Sequence, residues 1–269
     1  MKFALSTLGC PPSDLASLSA RAKEWGYDGL ELADLSAPEK LDLPVVCLTS
    51  PVIYQPGRNQ QAASTDEMRR HIEAAHQVNC ALLKIQDPPV RSGENRGTVA
   101  ASFGQWLGLV GDYAAERRVT IVVENAHAFL TAREMWTVME QANHPAVASC
   151  WDLLSAALAG EGPSVSVPVL NSRIQYALVK DATITPDGAL PCKIGAGNLP
   201  IGYFLQRLRG IGYGGWITFQ PDPAWLRLTE DPDAILADAI KALRQLTAEA
   251  AAPAPKAAAA HKAKALAKA

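Results

Sequence analysis

Val119-Thr-Ile-Val-Val-Glu-Asn-Ala-His127 is the stretch whose reading decides the fold. Its β-branched run reads as a strand that stops abruptly at polar residues. Alternation places Ile121 and Val123 on one face and Thr120, Val122 and Glu124 on the other. A carboxylate ending an apolar strand is costly unless a charge meets it. Glu124 therefore marks either a metal or catalytic site or a buried ion pair, and strand C-terminal ends are where α/β proteins keep their sites.

Seven other segments carry the same strand pattern: 2–8, 28–32, 44–49, 81–86, 146–152, 174–180 and 215–220. Helical patterns separate most of them. Ser13 is placed to cap a helix that Gly26 stops, and Thr65 to cap one running to Asn79 after a long loop, 50–64. Further helices are expected over 131–142, 200–209 and 231–247. Eight strands alternating with helices match the size and order of a (β/α)₈ TIM barrel, a single α/β domain over residues 1–247. No Gly-x-Gly-x-x-Gly follows the first strand, and Gly195-Ala-Gly197 reads as a tight turn. Residues 248–269 are almost entirely Ala, Pro and Lys and read as a flexible, dispensable tail.

The chain of 269 residues has a formal net charge of −2, which argues against a dedicated nucleic-acid or membrane-surface binder. Its five cysteines are scattered, as thiols in a reducing compartment would be. No signal peptide or long apolar span is visible, so the expected location is the cytoplasm. A homo-oligomer stays open.

In a closed barrel the polar strand ends converge. Asp152 ends Ala146-Val-Ala-Ser-Cys-Trp-Asp152, with small residues on its own face and Trp151 on the other. Alternation groups Tyr176, Leu178 and Lys180 on the seventh strand, and Trp216, Thr218 and Gln220 on the eighth. Glu31, Lys84 and Gln86 join from earlier strands, and His127 follows in the loop after Glu124. Arg58, Arg91 and Arg96 lie on loops after strands, and Trp216 and Trp225 are candidates to line a sugar pocket or simply to pack.

These residues carry a resemblance. Gly26-Tyr-Asp-Gly-Leu-Glu-Leu32, Val122-Val-Glu-Asn125, Trp151-Asp152, Val179-Lys-Asp181, Gly195-Ala-Gly197 and Gly212-Tyr-Gly-Gly-Trp-Ile-Thr-Phe219 resemble, in order and spacing, the xylose isomerase-like TIM barrel family of sugar phosphate isomerases and epimerases. The resemblance implies a divalent metal held by Glu, Asp, His and Glu from strands five to eight. The first two fall on Glu124 and Asp152. The third falls on Leu178 and the fourth on Gln220, while Ser155 stands where many members have a further His.

Leucine offers no lone pair, and Gln220 offers an amide oxygen without charge. The expectation is a metal set of Glu124, Asp152 and Gln220 holding Mn²⁺ or Mg²⁺ weakly or not at all, and a poor zinc site. Glu124 and Lys180 are the catalytic candidates, the lysine polarising a carbonyl. Glu31, Lys84, Gln86, His127 and Trp216 are the substrate-binding candidates. Losing the second Glu removes one proton-transfer partner, worth about 10²- to 10⁴-fold. Plain pairing of Glu124 and Asp152 with Lys180 or Lys84 is the alternative role.

The expected function is a divergent sugar isomerase or epimerase-like protein acting on or binding a small sugar, polyol or related carbonyl compound. The alternative is a non-catalytic sugar-binding or regulatory barrel. An endonuclease IV-type repair enzyme shares the fold but requires a cluster of metal-binding histidines, and only His127 lies at a strand end.

Overall fold

The computed structural model describes residues 1–10, 14–33 and 40–251. Eight parallel strands close into a barrel. In chain order these are β1 (Lys2–Ser6), β2 (Gly29–Leu32), β3 (Val45–Thr49), β4 (Leu82–Gln86), β5 (Thr120–Glu124), β6 (Val147–Asp152), β7 (Ile174–Val179) and, closing against β1, β10 (Trp216–Phe219). Strands β8 (Asp181–Thr185) and β9 (Gly188–Cys192) form a separate antiparallel hairpin. The main helices are α1 (Leu15–Trp25), α2 (Arg58–Gln77), α3 (Arg96–Glu116), α4 (Ala132–Ala142), α5 (Leu153–Leu158), α6 (Pro163–Leu170), α7 (Ile201–Gly210), α8 (Pro223–Arg227) and α9 (Pro232–Ala251).

The period-2 alternation of the strands separates two apolar regions. Outward residues such as Leu30, Leu83, Ile121, Val123, Trp151 and Phe219 join the helices in one large core. Inward residues Ala4, Cys47, Val122, Ala148, Cys150, Tyr176 and Leu178 fill the barrel, mostly with small side chains because its interior is narrow. Gly26 ends α1 at φ 103°, a conformation that suits glycine. Helix α4 begins with the reciprocal Thr131–Glu134 capping box.

Four local expectations change. The position of Ser13 lies outside the described residues, and α1 is capped by Asp14, whose side chain accepts from Ala16 and Ser17. Helix α2 starts at Arg58 rather than after Thr65, so Arg58 is not on a loop. Thr65 sits inside α2, donates to the Gln61 carbonyl and accepts from Trp106 Nε1 at 2.9 Å, joining α2 to the buried Tyr54–Phe103–Trp106 cluster. The Gly- and Pro-rich stretch after β7 contains the β8–β9 hairpin. Finally, α9 continues to Ala251, past the Thr247 boundary, with Leu246 and Ala250 packed on the core. Residues 252–269 lie outside those described. Among the described residues no helix is long and apolar enough to cross a membrane.

Glycines 195 and 197 serve the fold. Their N–H groups donate to Asp181 Oδ2 at 2.7 and 3.2 Å, which fixes the loop after the hairpin as a tight turn. A Cβ on Gly197 would overlap Asp181 and the Ala182 carbonyl. Gly197→Ala should therefore cost about 1–3 kcal/mol by strain, measured by urea unfolding. Ending the chain at Ala251 should leave the melting temperature unchanged, whereas ending it before α9 should prevent folding.

Candidate functional site

The centre of the barrel mouth is a buried cation. Lys84 points inward from β4 and is 0% exposed. Its Nζ donates to Glu31 Oε1 at 2.8 Å and to Gln220 Oε1 at 2.9 Å, and it lies 3.4 Å from Glu124 Oε2. Glu31 also accepts from Ser6 Oγ at 2.7 Å and Thr49 Oγ1 at 3.4 Å. One ammonium thus links groups from β2, β4, β5 and the end of β10. Burial disfavours its charge, but Glu31 and Glu124 outweigh that, so the pKa lies well above the ordinary lysine value. A pKa raised on folding gives stability that is complete below the unfolded value and fades only as pH rises through the folded one. The network is therefore intact at neutral pH.

A second pair lies beside the first. Lys180 Nζ is 2.9 Å from Asp152 Oδ2, which also accepts from Ser155 Oγ at 2.9 Å. Asp152 Oδ1 accepts from Leu154 N, capping α5. Burial works against the Lys180 charge, yet Asp152 and then Glu124 raise its pKa. Unlike Lys84, the Lys180 side chain is 18% exposed. It lines a cleft of about 250 Å³ with Gln220, Asp181, Asp222, Trp225 and Cys192.

Two further residues set this geometry. Asn125 Oδ1 accepts from Asp152 N at 2.7 Å and its Nδ2 donates to Asp152 O at 3.1 Å. That amide prolongs the β5–β6 pairing by side chain and fixes Glu124 relative to Asp152. Asp87, fully buried just after β4, accepts the N–H groups of Ala126, His127, Ala128 and Phe129 at 2.6 to 2.7 Å. It holds the loop that leaves Glu124.

The structure thus brings together Glu31, Lys84, Glu124, Asp152, Lys180 and Gln220. Gln86 pairs in register with Glu124, and its Oε1 lies 3.2 Å from Nε2 of the exposed His127 at the rim. Trp216 does not join them. It is the first residue of β10, so it sits at the N-terminal end of the barrel, beneath Lys2 and against a cavity lined by Pro44 and Leu82. Arg96 is engaged with Glu134 and the Ala128 carbonyl, and Arg91 is solvent-exposed. Ser6, Thr49 and Asp87 carried no weight in the sequence reading. For Asp87 the signal was present, since Gln86-Asp87 is a polar end on an apolar strand.

The donor set does not fit a divalent ion. Leu178 presents only carbon at the position of the implied His, facing Asp152 and Thr218 in register. Glu124 and Gln220 face Lys84, and both Asp152 oxygens are engaged. Among the described residues no group of three or more His, Cys, Asp and Glu side chains is disposed to hold a metal.

The model of the xylose isomerase-like TIM barrel matches residues 19–246. The chain belongs to the xylose isomerase-like TIM barrel family. No curated protein matches it. Among solved structures it is similar to the IOLI protein with a bound zinc atom (TM-score 0.78, 14% identity, covering 93% of this chain and 99% of that one). It is similar to 3-keto-D-glucoside 4-epimerase from E. coli in its apo form (TM-score 0.74, 15% identity, 91% and 99%). It also resembles a fusion of a xylose isomerase-like TIM barrel with 4-hydroxyphenylpyruvate dioxygenase (TM-score 0.77, 19% identity). That match covers 93% of this chain but spans only 43% of the fusion protein. At these identities the structural likeness shows a shared fold alone.

Asp87→Ala would leave buried N–H groups without acceptors. It should cost about 3 kcal/mol in urea unfolding and speed amide exchange at residues 126–129 above all others.

Proposed function

We propose that the protein is a sugar isomerase-like barrel that binds a small sugar, polyol or related carbonyl compound at its C-terminal mouth. The observation that carries this reading is Lys180, a partly exposed ammonium that lines a cleft together with Trp225 and Pro191. Its charge can hydrogen-bond a carbonyl oxygen and the negative charge that develops there on proton removal. The aromatic and proline wall suits the apolar face of a sugar ring. Asp181 and Asp222 in the same lining favour an uncharged ligand over a phosphorylated one.

Glu124 is the base. It would take a proton from the carbon next to the carbonyl, leaving an enediolate whose oxygen faces Lys180. Glu124 would then return the proton to the former carbonyl carbon, while the hydroxyl proton of the adjacent oxygen passes to the enediolate oxygen, so that the carbonyl moves by one carbon. Gln220 cannot hold a proton from the opposite face, so one base serves both transfers. That favours aldose–ketose isomerisation, which needs one face, over epimerisation, which needs two.

A second reading is a binding protein without turnover. The cleft is lined by Lys180 and Gln220 but by neither Glu31 nor Glu124, and Glu124 already faces Lys84.

The test uses uncharged aldoses, ketoses and polyols in thermal-shift and calorimetric titrations, followed by proton exchange in D₂O. A ligand should raise the melting temperature of the wild type but not of Lys180→Met. Under the isomerase reading the wild type incorporates deuterium next to the carbonyl, and Glu124→Gln binds but slows exchange by about 10²-fold or more. Saturable binding without exchange selects the binding protein, and no binding by any of these compounds refutes both.

A further inference from the structure

Two of the positions that the family resemblance assigns to metal ligands, Glu124 and Gln220, face the same nitrogen. Lys84 Nζ lies 3.4 Å from Glu124 Oε2 and 2.9 Å from Gln220 Oε1, and Glu31 Oε1 completes the set at 2.8 Å. The third implied ligand, Asp152, has its own ammonium in Lys180 at 2.9 Å. We infer that the Lys84 ammonium is a built-in cation standing in for a divalent ion, and that its removal alone uncovers an all-oxygen cation site between Glu31, Glu124 and Gln220.

Chemistry and space both support this. A lysine ammonium is a compact point charge, and here it reaches the centre of the barrel from β4 with its whole stem buried. Its acceptors are the types that hold hard cations, two carboxylates and an amide oxygen. Glu31 Oε2 is buried without a hydrogen bond, and buried Glu124 Oε2 has only its 3.4 Å ion pair with Lys84, so removing the ammonium leaves both oxygens without a partner. With Lys84 present the two carboxylates and one ammonium sum to −1, and a divalent ion in its place would bring the group to neutrality. Replacing the lysine by methionine keeps the length of the stem and vacates the ammonium position, which is where the ion would sit. Oxygen donors without imidazole or thiolate select Mn²⁺ or Mg²⁺ over Zn²⁺.

The inference is independent of whether a sugar binds at the mouth, because its test reads cation binding alone. Full-length wild type and Lys84→Met are purified without chelator and titrated with Mn²⁺ by calorimetry, with melting temperatures taken in Mn²⁺ and in EDTA. The wild type should show no saturable binding, and its melting temperature should respond to neither reagent. Lys84→Met should bind Mn²⁺ saturably, as an opened oxygen site with two carboxylates would, and should melt higher in Mn²⁺ than in EDTA. Because that variant leaves two buried carboxylates facing each other, Glu31→Gln/Lys84→Met serves as a second host with one charge fewer. It should bind more weakly than the single variant but more tightly than the wild type. Tight Mn²⁺ binding by the wild type, or a loss of its stability in EDTA, overturns the inference without any variant. So does a variant that folds yet binds no better than the wild type, or failure of both variants to fold even in Mn²⁺.

Discussion

The mouth of the barrel depends on one buried charge. Two carboxylates favour the charged form of Lys84, and its ammonium offsets the cost of burying them. Leaving either partner alone in so dry a place costs about 3–5 kcal/mol, whereas an apolar replacement of the whole set is often neutral. The net stability of the network therefore does not account for its presence. What it supplies is position. Hydrogen bonds from a single nitrogen fix Glu31 and Gln220 and so hold β2 and the end of β10 against β4, nearly across the barrel. Ser6 and Thr49 then fix the Glu31 carboxylate from the strands on either side of β2.

Around this centre, side chains do what longer strands would otherwise do. Asn125 extends the β5–β6 pairing past the last backbone bond. Asp87 gathers four successive amides of the next loop. Glu124 is thus positioned through Asn125 and Asp87, neither of which lines the cleft. The same economy recurs at β8, where Asp181 receives the amides of Gly195 and Gly197.

The barrel was legible because its strands are short β-branched or apolar runs whose alternation is unambiguous, and that alternation correctly turned Glu31, Lys84, Glu124, Asp152 and Lys180 inward. The partnerships were not legible. Glu31 and Gln220 are 53 and 136 residues from Lys84, and only closure of the sheet makes them neighbours. Face and height are also separate facts. Trp216 shares its face with Gln220, yet four residues of strand put it at the other end of the barrel. The β8–β9 hairpin was missed although Pro186-Asp187-Gly188 is a turn signal, because a β7–α7 connection in such a barrel is ordinarily a loop. The start of α2 escaped because Gly57 makes no side-chain cap there, while Thr65 had the chemistry of a cap and uses it on Gln61 and Trp106.

Family membership and site chemistry separate at this point. A divalent ion in an open site offers coordination positions to a substrate and withdraws charge from its oxygens. Lys84 offers none. Its nitrogen is enclosed by Glu31, Glu124 and Gln220, and its side chain is sealed from solvent, so its charge acts only through the groups it holds. Lys180 differs in the one respect that matters, being partly open to the cleft while anchored on Asp152. The two positive charges are thereby divided between an inner ammonium that organises and an outer one that can meet a ligand. Under the proposed reading, that division limits the electrophile to what one hydrogen-bonded ammonium can supply and leaves any proton transfer to Glu124, a carboxylate already ion-paired with Lys84.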